Sequence, residues 1–331
     1  MSKYIIIPAV TLLLLFVACA CFGADEQSFS ISRDIKYDNY PVRVVVNSKT
    51  GDVLVAWMNI VNPDTKRIYV ALCKLSKSGK FKVKKARMLT GADSFVCYFD
   101  IEYNPLDNSY LAVCDAYEEG YGSPINIFSL KLNSKGRPVG SPKQLTPKGT
   151  KYLCPVICFV PGIPVAPPNG KGNYLMAYTY LAPLLEADKA GVYTTFLEYD
   201  GDMTASVPRL VSAPLIDWKG FVGLESLPVK LIAMSDGGFM MTLRKSTGAF
   251  LMNSFLLRLG QFGQAIKQVP LCDYASTLVE FVQLSQRICV ASWDRYETGY
   301  MECYIQLFRP TLKKVRKLSI PWTMTKPLSP S

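Results

Sequence analysis

Between Pro41 and Ile320 the chain carries short alternating or β-branched apolar runs, such as Pro41-Val42-Arg43-Val44-Val45-Val46, Val53-Leu54-Val55-Ala56-Trp57 and Phe99-Asp100-Ile101-Glu102-Tyr103. A period of two with many β-branched residues predicts strands rather than helices. The runs are split by Asn47-Ser48-Lys49-Thr50-Gly51, Ser76-Lys77-Ser78-Gly79, Asn104-Pro105-Leu106-Asp107-Asn108 and Asn133-Ser134-Lys135-Gly136. Such turn sequences between alternating runs predict consecutive antiparallel hairpins. Helix is nearly absent from this reading. Leu153 to Gly172, with its Pro-Gly-Ile-Pro and Ala-Pro-Pro-Asn-Gly turns, reads as an irregular or inserted loop.

The pattern repeats. Asn47/Asn104, Leu54/Leu111, Trp57/Cys114, Ile68/Ile125, Leu75/Leu132 and Gly79/Gly136 are pairs with a common offset of 57 residues. Three less regular copies follow, and Leu259/Gly263 in the fourth keeps the Leu-to-Gly spacing of Leu75/Gly79 and Leu132/Gly136. The units span about 41–90, 95–146, 151–212, 220–270 and 275–321. Five units of roughly four strands predict an all-β fold, a five-bladed β-propeller with four antiparallel strands per blade, in which no unit folds alone. Residues 24–40 form a lead-in; Ser28 to Arg33 either closes the ring against the fifth unit or precedes it.

These Asn-x5-[Tyr/Val]-Leu-Val-x-Trp units resemble the repeats of exported bacterial β-propeller proteins, mostly of unassigned function, over nearly all of 41–331. The resemblance implies an architecture and leaves the chemistry open. Trp57, Tyr178 and Trp293 stand at equivalent strand ends. Aromatics there either stack on sugars or fill the core between blades.

The first 23 residues read as an export signal: Lys3, an apolar run from Ile5 to Val17, then small residues. Cleavage after Gly23 would release a secreted or periplasmic protein, while lipidation at Cys19 or Cys21 would make an envelope lipoprotein with a membrane anchor. Eight further cysteines fit an oxidising compartment, and hairpin symmetry suggests disulfides Cys97–Cys114 and Cys289–Cys303. With no histidine in 331 residues, triads with an imidazole base and His-based metal sites are excluded, and no metal or cofactor is expected.

The formal net charge is +11. The excess gathers in Lys80, Lys82, Lys84, Lys85 and Arg87 of the first unit and in Lys313, Lys314, Arg316 and Lys317 of the last. A closed ring would join them into a basic rim facing an anionic surface, although lysines on outer strands also guard exposed edges. No specific nucleic-acid partner is expected. For catalysis the surviving candidates are carboxylates: Asp38, Asp100 and Glu225 lie near the starts of three units. Glu225-Ser226-Leu227-Pro228 followed by Asp236-Gly237-Gly238-Phe239 loosely resembles a stretch of five-bladed propeller glycosidases. That resemblance would make Glu225 the acid, Asp38 the base and Asp100 an orienting group. The expectation is a non-catalytic binding or scaffold module with a protein or glycan partner; the alternative is a glycoside hydrolase.

Overall fold

The computed structural model describes residues 38–62, 64–75, 81–91, 94–118, 123–161, 171–182, 188–212, 226–246, 252–272, 279–286, 288–297 and 300–319. No α-helix occurs among them. The signal segment with Cys19 and Cys21, the lead-in up to residue 37, and Glu225 lie outside the described residues.

The first sheet contains β1 (Asp38–Val46), β2 (Val53–Asn62), β3 (Thr65–Leu75) and β4 (Phe81–Val83) in that order, with β5 (Arg87–Met88) also pairing on β3. A second meander follows with β6 (Val96–Asn104), β7 (Ser109–Tyr117), β8 (Ile125–Asn133) and β9 (Lys143–Gln144). The third has β10 (Lys151–Val160), β11 (Asn173–Leu181), β12 (Gly191–Glu198) and β13 (Arg209–Ser212). One parallel bridge, Lys151 to Ile125, joins these two into an eight-stranded sheet. Two four-stranded sheets complete the chain: β14 (Ser226–Ala233), β15 (Phe239–Ser246), β16 (Met252–Leu259) and β17 (Ala265–Cys272), then β18 (Val279–Ser285), β19 (Ile288–Glu297), β20 (Tyr300–Phe308) and β21 (Lys314–Ser319).

Alternation is buried on both faces. On β7, Tyr110 and Ala112 join the core shared with the first sheet, while Leu111 and Val113 join the core shared with the third meander. On β11, Tyr174, Met176 and Tyr178 face back, and Leu175 and Ala177 face forward to Phe239, Met241 and Leu243 of β15. Strands apolar on both faces are what stacked sheets require.

Two local devices tie the first three meanders together. The carboxamide oxygen of Asn47 accepts the amides of Lys49 (2.9 Å) and Thr50 (3.2 Å), closing its own hairpin, while its nitrogen donates to Asn108 Oδ1 (3.0 Å). Asn104 does the same, accepting from Leu106 N (2.9 Å) and donating to the Lys171 carbonyl (2.8 Å). Farther along, the turn glycines Gly136 (φ 67°) and Gly201 (φ 90°) press on the preceding meander: a Cβ on either would lie 2.8 Å from Leu54 Cδ1 or Leu111 Cδ1 respectively. Ser129 Oγ then donates to the Gly201 carbonyl (2.9 Å).

The structure revises two readings. The passage expected to be an irregular loop from Leu153 contains β10, with Pro155 accommodated at a register shift where Cys154 takes φ 52°. A residue without an N–H sits in a strand only at an edge or bulge, and here it is the bulge. The two disulfides are absent. Cys97, Cys114 and Cys289 are free thiols. Cys97 falls on the β6 bulge and Cys114 pairs with Phe99, while Cys289 pairs with Phe308 and Cys303 with Asp294, so neither pair is opposed.

Gly201→Ala is expected to destabilise the fold more than Gly140→Ala. Both have positive φ, but nothing lies within 4 Å of a Cβ at Gly140, whereas at Gly201 it would also stand 2.7 Å from Ser129 Oγ. Strain alone costs about 1–2 kcal/mol, and overpacking adds about 1–3 kcal/mol at Gly201. Urea denaturation of the two variants measures the difference.

Candidate functional site

The first strand of each meander carries a residue at one common rung: Arg43 on β1, Asp100 on β6, Val156 on β10, Lys230 on β14 and, by backbone register, Glu280 on β18. Their partners on the second strands are Ala56, Val113, Ala177, Thr242 and Ser292. Each follows by two residues the position held by Leu54, Leu111, Leu175, Met240 or Val290. The repeat therefore brings Arg43, Asp100 and Lys230 to one level.

The Arg43–Asp100 pair is made, Nε to Oδ1 at 3.2 Å. Asp100 is buried, and its second oxygen accepts the Ile157 amide from β10 at 3.0 Å. Arg43 also donates to the Tyr98 hydroxyl and lies over its ring, 5.1 Å from the centroid. That hydroxyl donates to the Val229 carbonyl on β14 at 3.2 Å. One arginine, one aspartate and one tyrosine thus connect β1, β6, β10 and β14.

Two residues along β6 on the same face as Asp100, Glu102 is partly accessible. Burial pushes its carboxyl up to about 7, the Asp100 charge adds to the rise, and Lys230 and the Tyr103 amide oppose it. Glu102 Oε1 accepts that amide at 3.1 Å. Asp115 on β7 is fully buried and accepts Tyr98 N (2.5 Å) and Cys154 N (2.7 Å). Burial pushes it too up to about 7, against the pull of those amides. Its placement inside the backbone marks it as the group that holds the β10 bulge against β6. The neighbouring thiols Cys97 and Cys114 are pushed up to about 12, by burial first and Asp115 second, and are inert protonated groups at neutral pH.

Among the sequence candidates, Asp100 stands at the centre of this cluster. Asp38 begins β1, paired with Ile60, and its side chain is outside the described residues. Trp57 is core, buried and stacked on Tyr69 at 5.9 Å, and Tyr178 is buried in the core between the second and third meanders. Trp293 is described in its backbone alone, opposite Val279 and Tyr304. Beside Tyr178, however, Tyr152, Tyr180 and Tyr193 are half-buried; Tyr152 and Tyr180 stack at 5.0 Å, and Tyr193 stacks on Tyr178 at 6.1 Å. These tyrosines sit where β10 begins, the end at which β6 and β14 also begin. Of the basic residues, Lys82, Lys84, Lys85 and Lys313 are exposed and Arg87 is half-buried. The side chains of Lys80, Lys314, Arg316 and Lys317 are outside the described residues.

No protein-family model matches the sequence, and no curated protein matches it significantly. Solved structures do share the fold. A protein of unknown function from Dyadobacter fermentans is similar with a TM-score of 0.56 at 8% identity, over 86% of this chain and 85% of that one. The α-L-arabinofuranosidase Arb93A of Fusarium graminearum gives 0.55 at 10% identity, over 86% and 83%. The α-L-arabinanase of Penicillium chrysogenum gives 0.52 at 13% identity, over 84% and 78%. The all-β chain thus has the fold of β-propeller glycosidases. The expected non-catalytic binding or scaffold module is corrected here: the arabinofuranosidase and the arabinanase that share the fold are glycoside hydrolases. Strand starts alone do not show that β6 also carries the ionisable Glu102 beside Asp100.

Folded Asp115 and Glu102 hold protons to about pH 7, which the unfolded chain releases near pH 4. Their stabilisation is therefore complete below about pH 4 and is lost as pH rises through about 7, with a slope of up to about 1.4 kcal/mol per pH unit for each group. Asp115→Asn should have a lower melting temperature at acid pH and a shallower decline between pH 4 and 8, read by thermal unfolding across that range.

Proposed function

We propose that this protein is a glycoside hydrolase on a five-bladed β-propeller, with Glu102 as proton donor and Asp100 as its partner carboxylate. The observation that carries the reading is the pairing of unlike acids on one strand face. Glu102 is pushed up to about 7 and keeps a proton near neutrality, while Asp100 is ion-paired with Arg43. Glycoside hydrolysis needs such a division, one carboxylic acid protonating the departing oxygen and one carboxylate serving as base or nucleophile.

Three further features support it. The fold is shared with an arabinofuranosidase and an arabinanase. Tyr152, Tyr180 and Tyr193 offer aromatic faces at the end where the inner strands begin, several positions along the strands from Glu102, suited to a more distant sugar unit of the same chain. Closure of the ring is supported by Val42, Val44 and Val46, exposed along one face of β1 where a fifth blade would pack. Export to the envelope or medium would place the enzyme with extracellular glycans.

The test is turnover on a panel of arabinan, xylan and aryl-glycoside substrates. Glu102→Gln and Asp100→Asn are each expected to lower kcat at least 100-fold. Wild-type activity should fall above about pH 7 as Glu102 loses its proton, and the residual activity of Glu102→Gln should lack that limb. Full turnover in both variants would reassign the carboxylates, with Asp38→Asn and Glu225→Gln tested next. Absence of hydrolysis by the wild type across the panel would remove the enzyme reading.

A further inference from the structure

The turn glycines that lock successive meanders also build a groove at each junction, so the chain contains its own comparison set. At the junction of the first and second meanders the groove is an open cleft of about 390 Å³, floored by Leu54, Val70 and Leu72. Its walls carry Lys74, Lys84, Lys85 and Arg87 from the first sheet and Lys135 and Arg137 from the turn around Gly136. Lys74 pairs with Asp52 at 3.4 Å. Among the described residues none of the other five makes an ion pair, and Arg87 turns its guanidinium to the Lys135 carbonyl at 3.4 Å.

The corresponding positions at the other junctions are different. Arg87 is paired with Val70 across β3 and β5, as Lys143 is with Ser129 and Arg209 with Thr194. At the next junction the residues flanking the turn glycine are Asp200 and Asp202 instead of Lys135 and Arg137, and both neutralise Lys143, at 3.3 and 2.8 Å. At the junction after that, Phe262 precedes Gly263, Ser206 and Val207 replace the two lysines, and about 10 Å³ of cleft remains. One framework thus holds an ion-paired cluster, an apolar plug or, at the first junction alone of these three, a set of like charges around open space. Lysines that merely guard an outer edge would not be met by two more cations from the neighbouring sheet. Gathering like charges is unfavourable until an anion lies between them.

We propose that this cleft binds an anionic oligosaccharide, its carboxylate or sulfate groups held between the Lys84–Arg87 segment and the Lys135–Arg137 turn. The lining has no aromatic ring on which a nucleobase could stack. Its cations line a concave floor of aliphatic side chains, which accepts a chain rather than a flat lipid surface. The site is separate from the carboxylates of β6 and does not depend on the hydrolase reading.

Calorimetry tests the full chain at low and moderate salt against a heparin-derived tetrasaccharide, trigalacturonate, neutral arabinotriose, a single-stranded oligonucleotide and anionic phosphatidylserine vesicles. Binding of at least one acidic oligosaccharide is expected, weakening steeply with salt, with none to arabinotriose. The double variant Lys135→Asp/Arg137→Asp copies the turn already present at Asp200 and Asp202; it should weaken binding at least tenfold while its melting temperature without ligand stays equal or rises. Lys148→Asp/Lys267→Asp, the same charge change at exposed positions away from the cleft, should leave binding within twofold. Equal losses in the two double variants would reduce the effect to net charge and overturn the site. No binding of either acidic oligosaccharide, or tighter binding of the oligonucleotide or the vesicles, would overturn the proposed ligand.

Discussion

At the hairpin between β8 and β9 the missing side chain of Gly136 lets Leu54 of the first sheet reach within 2.8 Å of where a Cβ would stand. The contact recurs as Gly201 on Leu111 and Gly263 on Leu175, each time at a positive φ. Stacked sheets hold together by apolar area, which has no direction of its own. These turns supply the direction: a sheet can slide or rotate on its neighbour only if the glycine leaves its seat. At the first two junctions Asn47 and Asn104 add a second fixed point through hydrogen bonds whose geometry allows one placement.

With both points fixed, the inner strands come to a common level, and this brings Arg43, Asp100 and Lys230 to one rung from residues far apart in sequence. The arrangement binds the inner strands to one another as well. Asp100 accepts an amide of β10, Tyr98 donates to a carbonyl of β14, and Asp115 holds the β10 bulge. The same carboxylates that could serve chemistry therefore also replace backbone pairing that the first strands cannot make with each other. A buried, hydrogen-bonded charge costs little only when every lone pair is occupied. Glu102 has one amide partner and is partly accessible, which leaves it a group able to exchange its proton with a ligand.

The strands and their grouping were legible because the repeat shows itself in residues that are hard to exchange: Asn47 and Asn104 each close one turn and tie the next, Gly136 sits where a Cβ would clash, and Gly263 where one would be crowded at a positive φ. Features that depend on register were not. The Cys289–Cys303 pairing assumed a turn centred on Tyr296, but the hairpin closes at Glu297–Tyr300, which shifts the two cysteines five positions out of line. Leu153 to Val160 read as irregular as part of a stretch with Pro-Gly-Ile-Pro and Ala-Pro-Pro-Asn-Gly turns, and the carboxylate of Asp115 that accepts the Cys154 amide at the bulge lies 39 residues away. Glu102 drew no attention because, in alternation, a polar residue between Ile101 and Tyr103 reads as solvent-facing. Its surroundings are made by Lys230 and by the sheets on either side, which no local pattern contains.

The last sheet shows the rule from its exception. In the turn between β20 and β21, Leu312 N bonds to the Arg309 carbonyl at 2.8 Å, the same closure that Gly263 makes with Gly260 at 2.9 Å. Leucine there takes φ 62°, a conformation that costs about 1–2 kcal/mol. It persists because the neighbouring surface has changed. The positions of Leu175 and Thr194 are filled in β15 and β16 by Met240 and Leu256, and Leu312 is buried in the core cluster that contains both. Burial of a leucine side chain contributes about 1.5–3 kcal/mol, enough to offset the strain. Where the seat has a hydroxyl, as at Ser129 and Thr194, the turn must approach closely enough for its carbonyl to accept the bond, and that requires glycine. Where the seat is aliphatic, a side chain can fill the gap, as Leu312 does, unless the seat already fills it, as Leu54 does beneath Gly136. The seat on the preceding sheet, rather than the turn sequence alone, decides which residue the turn can carry.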